Sequence, residues 1–218
     1  MASPVSPTEG IREPSQQRGK DALDKLLTAG AELLAERGYE GFTLTEVSRR
    51  AGVSNGAMYW RIENKDALLH AIHDHFQAQV VAHNESLRDP SRWAGRPLAE
   101  VVDGAVREVA GVFSYDPQLM RALSLRAGAD PAILERAATS IHTGSQAFCA
   151  LLEPRLEAAG HEDPHMIADV IFTAISGAMA SRITWPEFHD GPDLSWDRFV
   201  DSLCQMAVAQ VEAGLPKG

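Results

Sequence analysis

Residues 43–69 read TLTEVSRRAGVSNGAMYWRIENKDALL. Thr43 followed by Glu46 has the spacing of a capping box, in which the hydroxyl takes one orphan backbone N–H and the carboxylate takes another. The box opens a short helix that Gly52 closes, because glycine enters the left-handed region without a Cβ penalty. Ser54 caps a second short helix, with Asn55 to about Arg61 inside. Asn64 caps a third that begins KDALLHAIHDHF and runs into the eighties. Val47, Ala51, Val53, Met58 and Ile62 supply apolar contacts for packing these pieces on the helix before them. Two short helices joined by the tight AGVS turn make a helix-turn-helix.

Upstream, Ala22, Leu26, Leu27, Ala29, Leu33 and Leu34 recur at helical spacing from about Lys20 to Arg37, and Gly38 stops the run. Residues 1–19, rich in Pro, Ser, Gly and Gln, read as a disordered arm. Downstream, 89–97 reads as a loop with two prolines. Helices are expected at about 98–114, 117–127, 131–158 (with Pro154 near its end), 164–184 and 194–213, separated by breaks at 161–164 and 186–193. No sustained period-2 run of β-branched residues occurs. The fold class is all-α with about nine helices: a helix-turn-helix DNA-binding domain at 20–65 and a larger helical domain at 66–218.

The formal net charge is −10, which looks wrong for a partner of nucleic acid. It is unevenly placed. Residues 1–65 hold 9 Lys/Arg and 9 Asp/Glu, whereas residues 66–218 hold 11 and 21. A neutral head on an acidic body lets only the head approach a polyanion. Apolar content of 44% and charged content of 23% are ordinary for a globular chain. Cys149 and Cys204 lack ligand spacing and read as buried thiols in a reducing cytoplasm. No uncharged apolar run of 18 residues and no secretory signal pattern point to a membrane. No GxSxG, Gly-rich phosphate loop, HExxH or paired-carboxylate motif points to an enzyme.

The second helix of the motif has to enter a major groove about 12 Å wide with its N-terminal side chains toward the base edges. Asn55, Gly56 and Ala57 suit that role, being small and carrying one amide that can read a base. Arg49 and Arg50 lie on the outer face of the preceding helix, for phosphate or for solvent. Lys65, in the first turn of its helix, opposes its own helix dipole, which makes sense beside a phosphate. The quoted stretch resembles the DNA-binding domain of the TetR family of bacterial transcriptional regulators, and the likeness runs over about 20–70. The resemblance implies that Thr43 and Thr45 contact phosphate or bases and that Asn55, Gly56 and Ala57 face bases. It also implies that Tyr59 and Trp60 lie against the sugar-phosphate backbone or thymine methyls, and that Lys65 binds phosphate. Many members carry Lys or Arg at the position of Asn55, His or Tyr at that of Arg61, and Phe at that of Ile62; the charge of Arg61 suits a further phosphate contact. Helix geometry keeps Tyr59 and Trp60 about 100° apart. That leaves Tyr59 between core edge and phosphate, and turns Trp60 outward with Ala57 and Asn64.

Such motifs work in pairs on pseudo-palindromic double-stranded operator DNA. A homodimer is expected, through a small-residue face of Ala174, Gly177, Ala178 and Ser181 together with Phe199, Leu203 and Met206. The resemblance favours a four-helix interface, two helices from each subunit. The remaining helices are expected to enclose a small-molecule effector site lined by Phe113, Met120, Leu123, Phe148, Phe172 and Trp185, with His142, Arg121 and Arg182 as polar anchors. By resemblance, ligand would release a repressor from DNA. His70, His73, His75 and His83, with Asp74, read as solvated histidines; neither a metal nor another cofactor is expected.

Overall fold

The computed structural model describes residues 9–11, 17–189 and 194–213, apart from the side chains of 18 and 82–84. Among them are ten α-helices and no strand beyond one isolated bridge, so the chain is all-α. The helices are α1 (Gln17–Arg37), α2 (Leu44–Ala51), α3 (Asn55–Arg61), α4 (Lys65–Arg88), α5 (Pro90–Trp93), α6 (Leu98–Tyr115), α7 (Pro117–Ala127), α8 (Pro131–Ala158), α9 (Pro164–Thr184) and α10 (Trp196–Ala213). Most of the arm read at 1–19 lies outside the described residues. Of the rest, Gln17 already belongs to α1, and Ile11 bridges Ile62 while the Gly10 carbonyl accepts from the Glu63 N–H at 3.1 Å.

Two compact units form. The first comprises Met1–Gln79 and Gln118–Glu135. Leu26, Leu33 and Leu34 of α1, Val47 of α2, Met58 of α3 and Leu68, Leu69 and Ile72 of α4 are buried there. Each such side chain contributes about 1.5–3 kcal/mol, far more than the propensity of so short a helix as α3. α1 and α4 pack closely where Gly30 lies: a Cβ built there would sit 2.8 Å from Ile72 Cδ1.

The second unit comprises Val80–Pro117 and Arg136–Gly218. One apolar core joins Val101, Val102, Ala105 and Val109 of α6, Phe148 and Leu152 of α8, Ile171, Ile175 and Met179 of α9, and Leu203, Cys204 and Ala207 of α10. The stretch 89–97 is not a bare loop. Asp89 caps the single turn of α5, and Trp93 plugs the core with its indole N–H donated to the Ser86 carbonyl at 3.1 Å. Gly104 exists to admit it, since a Cβ there would lie 2.7 Å from the Trp93 ring. Pro154 sits inside α8 without ending it. By length and composition α9 is apolar enough to cross a membrane. One face of it is instead buried in this core through Ile171, Phe172, Ile175 and Met179.

Candidate nucleic-acid interface

Every cap inferred around the motif is formed. Thr43 accepts from the Glu46 N–H at 3.3 Å, and the Glu46 carboxylate accepts from the Thr43 N–H at 2.8 Å. Gly52 ends α2 in the left-handed region at φ 65°. The turn is closed by the Val53 N–H on the Ser48 carbonyl at 3.0 Å. Ser54 Oγ accepts from Ala57 N at 3.3 Å, and Asn64 Oδ1 from Ala67 N at 2.8 Å.

Met58 and Ile62 are fully buried, and this pair fixes which side of α3 faces out. Asn55 and Gly56 are exposed and Ala57 half-buried. Tyr59 is 55% exposed and Trp60 53%, so both aromatics point outward and the core-edge alternative for Tyr59 does not hold. The Ser48 hydroxyl, from α2, holds the Asn55 carboxamide. A Cβ built on Gly56 meets no described atom within 4 Å. A glycine inside a helix costs about 1 kcal/mol relative to alanine, and nothing in the described chain requires one here.

The basic residues divide in two. Arg50 is taken by α1: its guanidinium donates to both Glu36 oxygens, at 2.7 and 2.9 Å, with Glu32 at 3.7 Å. The hydrogen bond from Arg50 holds the Glu36 carboxyl below its ordinary range. Arg49, Thr43 and Thr45 are exposed. Arg61 donates to the Ala57 carbonyl at 2.8 Å and stacks on the Trp60 ring at 5.3 Å, while its buried Nε has no acceptor among the described residues.

Lys65 is not a free surface charge. Its ammonium donates to the Phe42 carbonyl at 2.6 Å, with the Tyr39 and Phe42 ring centroids 4.5 and 4.4 Å away. The lysine thus pins the start of α4 to the loop that presents Thr43. The Tyr39 hydroxyl donates to Asp66, and the Arg126 guanidinium lies 3.9 Å from the Tyr39 ring. Burial, and then Asp66, push the Tyr39 phenol up to about 12. Ser48, Tyr39 and Phe42 were not singled out from the sequence. Phe42 is signalled by its place just before a helix cap, where an apolar residue often anchors the chain entry; the other two act only through contacts across elements.

The remaining candidates are scattered. Phe148 and Phe172 touch in the core of the second unit, with ring centroids 5.6 Å apart, and Phe113 packs beside that core. Leu123 is buried and Met120 half-buried, but both belong to the first unit. His142 and Trp185 are exposed. Arg182 donates to the Leu194 carbonyl and lies over Phe199. On the expected dimer face, Ala174, Gly177 and Met206 are exposed, Ala178, Ser181 and Phe199 are half-buried, and Leu203 is consumed by the chain's own core. The histidines are not uniformly solvated. His73 is buried on the inward face of α4 between Ile72 and Phe76, and His70 pairs with Asp130 at 3.1 Å; of these three only His75 is exposed, and the side chain of His83 lies outside the described residues. Cys149, read as a buried thiol without ligand spacing, lies with Glu153 and His165 in a group whose donor atoms are all within 4.8 Å of one another.

A helix-turn-helix held by its caps, with a thin outward α3, defines a helical DNA-binding regulator. Comparison with known proteins makes the class specific. Residues 26–72 match the model of bacterial regulatory proteins of the tetR family, and residues 97–209 match the tetracyclin repressor-like C-terminal domain. The chain belongs to the TetR family and is a transcriptional regulator with a DNA-binding domain. The HTH-type transcriptional regulator CymR of Pseudomonas putida is 26% identical over 180 residues, covering 80% of this chain and 85% of that protein. The A-factor receptor protein of Streptomyces griseus is 32% identical over 89 residues, 41% of this chain and 29% of that protein. Tetracycline repressor protein class C of Escherichia coli is 32% identical over 110 residues, 45% of this chain and 49% of that repressor. The chain therefore spans less than half of the latter two. In fold it resembles a TetR transcription regulator of Haloarcula marismortui, with a TM-score of 0.69 at 17% identity over 90% of this chain and all of that one. It also resembles FadR of Bacillus subtilis, crystallised with stearoyl-CoA, with a TM-score of 0.64 at 14% identity over 86% and 98%.

Proposed function

We propose that the protein is a cytoplasmic homodimeric repressor that a small molecule releases from a pseudo-palindromic operator. The observation carrying the DNA-facing part is Gly56, an exposed helical glycine that nothing in the described chain requires, beside two half-exposed aromatics. A backbone that close to the surface suits contact with base edges. Asn55, Gly56 and Ala57 read bases; Tyr59, Trp60 and Arg61 flank the sugar-phosphate backbone. Thr43, Thr45 and Arg49 meet phosphate, and Lys65 holds the loop that carries Thr43.

The second copy docks on α9 and α10. Met166, Val170, Ala174 and Gly177 form an exposed stripe along α9, and Met206 is exposed on α10. Release would act through α7 and the start of α8, which cluster with the helix-turn-helix. Arg126 reaches Asp66 at 3.7 Å and His70 reaches Asp130 at 3.1 Å, so a ligand that displaces α7 pulls on α4. The effector chamber draws on Phe113, Phe148 and Phe172 for apolar lining.

Electrophoretic mobility with the DNA flanking the protein's own gene tests this reading. A salt-sensitive, sequence-specific shift is expected. Lys65→Ala should weaken binding to all sequences, whereas Asn55→Ala should change which sequence is preferred. If both variants bind as wild type does, α3 is not the reading helix.

A further inference from the structure

The seam between α8 and α9 carries chemistry that DNA binding does not use. On α8, Ser145, Cys149 and Glu153 follow one another at i, i+4 and i+8, which places them on one face. On α9, His165 and Asp169 do the same. Across the seam, His165 Nδ1 lies 2.7 Å from Glu153 Oε1, and Ser145 Oγ donates to Asp169 Oδ1 at 3.2 Å. Ser145 Oγ also lies 3.9 Å from Cys149 Sγ. The thiol, one imidazole nitrogen and one carboxylate oxygen of Cys149, His165 and Glu153 lie within 4.8 Å of one another, all inside the second unit.

We infer that Cys149, Glu153 and His165 form a binding site for a divalent metal ion of the zinc class, with water as the fourth ligand. A thiolate, an imidazole and a carboxylate form the mixed sulfur, nitrogen and oxygen set that tetrahedral Zn(II) accepts. Metal–sulfur bonds of about 2.3 Å and metal–nitrogen bonds of about 2.0 Å place any two of these donors roughly 3.3–3.5 Å apart. The His165–Glu153 contact therefore opens by about half an ångström, and the thiol closes by up to about 1.3 Å; side-chain torsions supply both. On binding, the thiol gives its proton to solvent and the imidazole coordinates through the neutral Nδ1. Cys149 is buried, Glu153 half-buried and His165 exposed, so the ion has a path in from the His165 side. Such an ion staples α8 to α9 across the turn at 159–163, at the root of the helix whose outer face is proposed to meet the second copy.

The test is titration of the untagged full-length chain, stripped of metal, with Co(II) and then Zn(II). One equivalent of Co(II) should bind with a thiolate-to-cobalt charge-transfer band that Zn(II) abolishes. Cys149→Ser should lose the band, and His165→Ala should weaken binding at least about tenfold with unchanged circular dichroism. Cys204→Ser and His70→Ala should bind as wild type does. His165 is exposed, so that variant tests the site even where Cys149→Ser fails to fold. The absence of a charge-transfer band in folded wild type overturns the inference. So does a band that survives Cys149→Ser, one that depends on Cys204, or Co(II) affinity unchanged in His165→Ala.

Discussion

Four of the glycines inside helices fall into two kinds. Gly30 and Gly104 are walled in, by Ile72 and by the Trp93 ring, and any side chain there must displace a packed neighbour. Gly56 on α3 and Gly177 on α9 face open space. The first pair is explained by the chain itself. The second is not, because a helical glycine costs about 1 kcal/mol that no contact of the chain offsets. What differs between the two open glycines is their surroundings. Gly56 sits on a seven-residue helix that also carries exposed Asn55, Tyr59 and Trp60 and ends in Arg61, which suits a polyanion. Gly177 sits on a long helix beside Ala174, with exposed Val170 and Met166 further along it, which suits another apolar helix.

The largest expected effect is at Gly177. Gly177→Glu places like charges across the proposed two-fold interface and should weaken dimerisation at least about a hundredfold, read by analytical ultracentrifugation. Operator binding should fall with it, while the monomer's helicity stays the same. Next is Gly104→Ala, where overpacking against Trp93 should cost about 1–3 kcal/mol in urea unfolding despite the gain in helix propensity. At Gly56 the signs should split: Gly56→Ala should stabilise the fold by about 0.5–1 kcal/mol and yet weaken operator binding. A stabilised variant with undiminished DNA affinity would break the comparison at that point.

The smallest effect concerns pH. Burial pushes the Asp130 carboxyl up, but His70 and the N–H groups of Ile133 and Ala132 outweigh it and hold the group below its ordinary value of 3.8. A depressed folded value means stability that is present above that ordinary value and lost as pH falls through it and below. Asp130→Asn should cost about 1 kcal/mol at neutral pH and flatten the acid limb of the stability profile, measured by thermal unfolding between about pH 6 and pH 2.

The caps explain why so much of the head was legible. Thr43 with Glu46, Gly52, Ser54 and Asn64 are signals spaced within four residues, and they act before any tertiary contact forms. The helices expected at 117–127, 131–158 and 164–184 form over those same residues, and each begins at a proline. What stayed hidden depends on partners distant in sequence. The α5 turn exists because Trp93 finds the space left by Gly104. Lys65 read as a phosphate contact because its acceptor, the Phe42 carbonyl, is 23 positions away. His73 shares the inward stripe of Leu69, Ile72 and Phe76, a register that its histidine neighbours mask in the sequence. Cys149 carried no motif because His165 approaches it from a second helix.

The open face of α3 is proposed to meet DNA and the open face of α9 a second copy. Sedimentation equilibrium of the chain with a DNA fragment flanking its own gene tests both faces at once, at low and at raised salt. Two chains per fragment are expected, in a sequence-specific complex that dissociates as salt rises. A single chain per fragment, or no specific complex at low salt, would contradict that expectation.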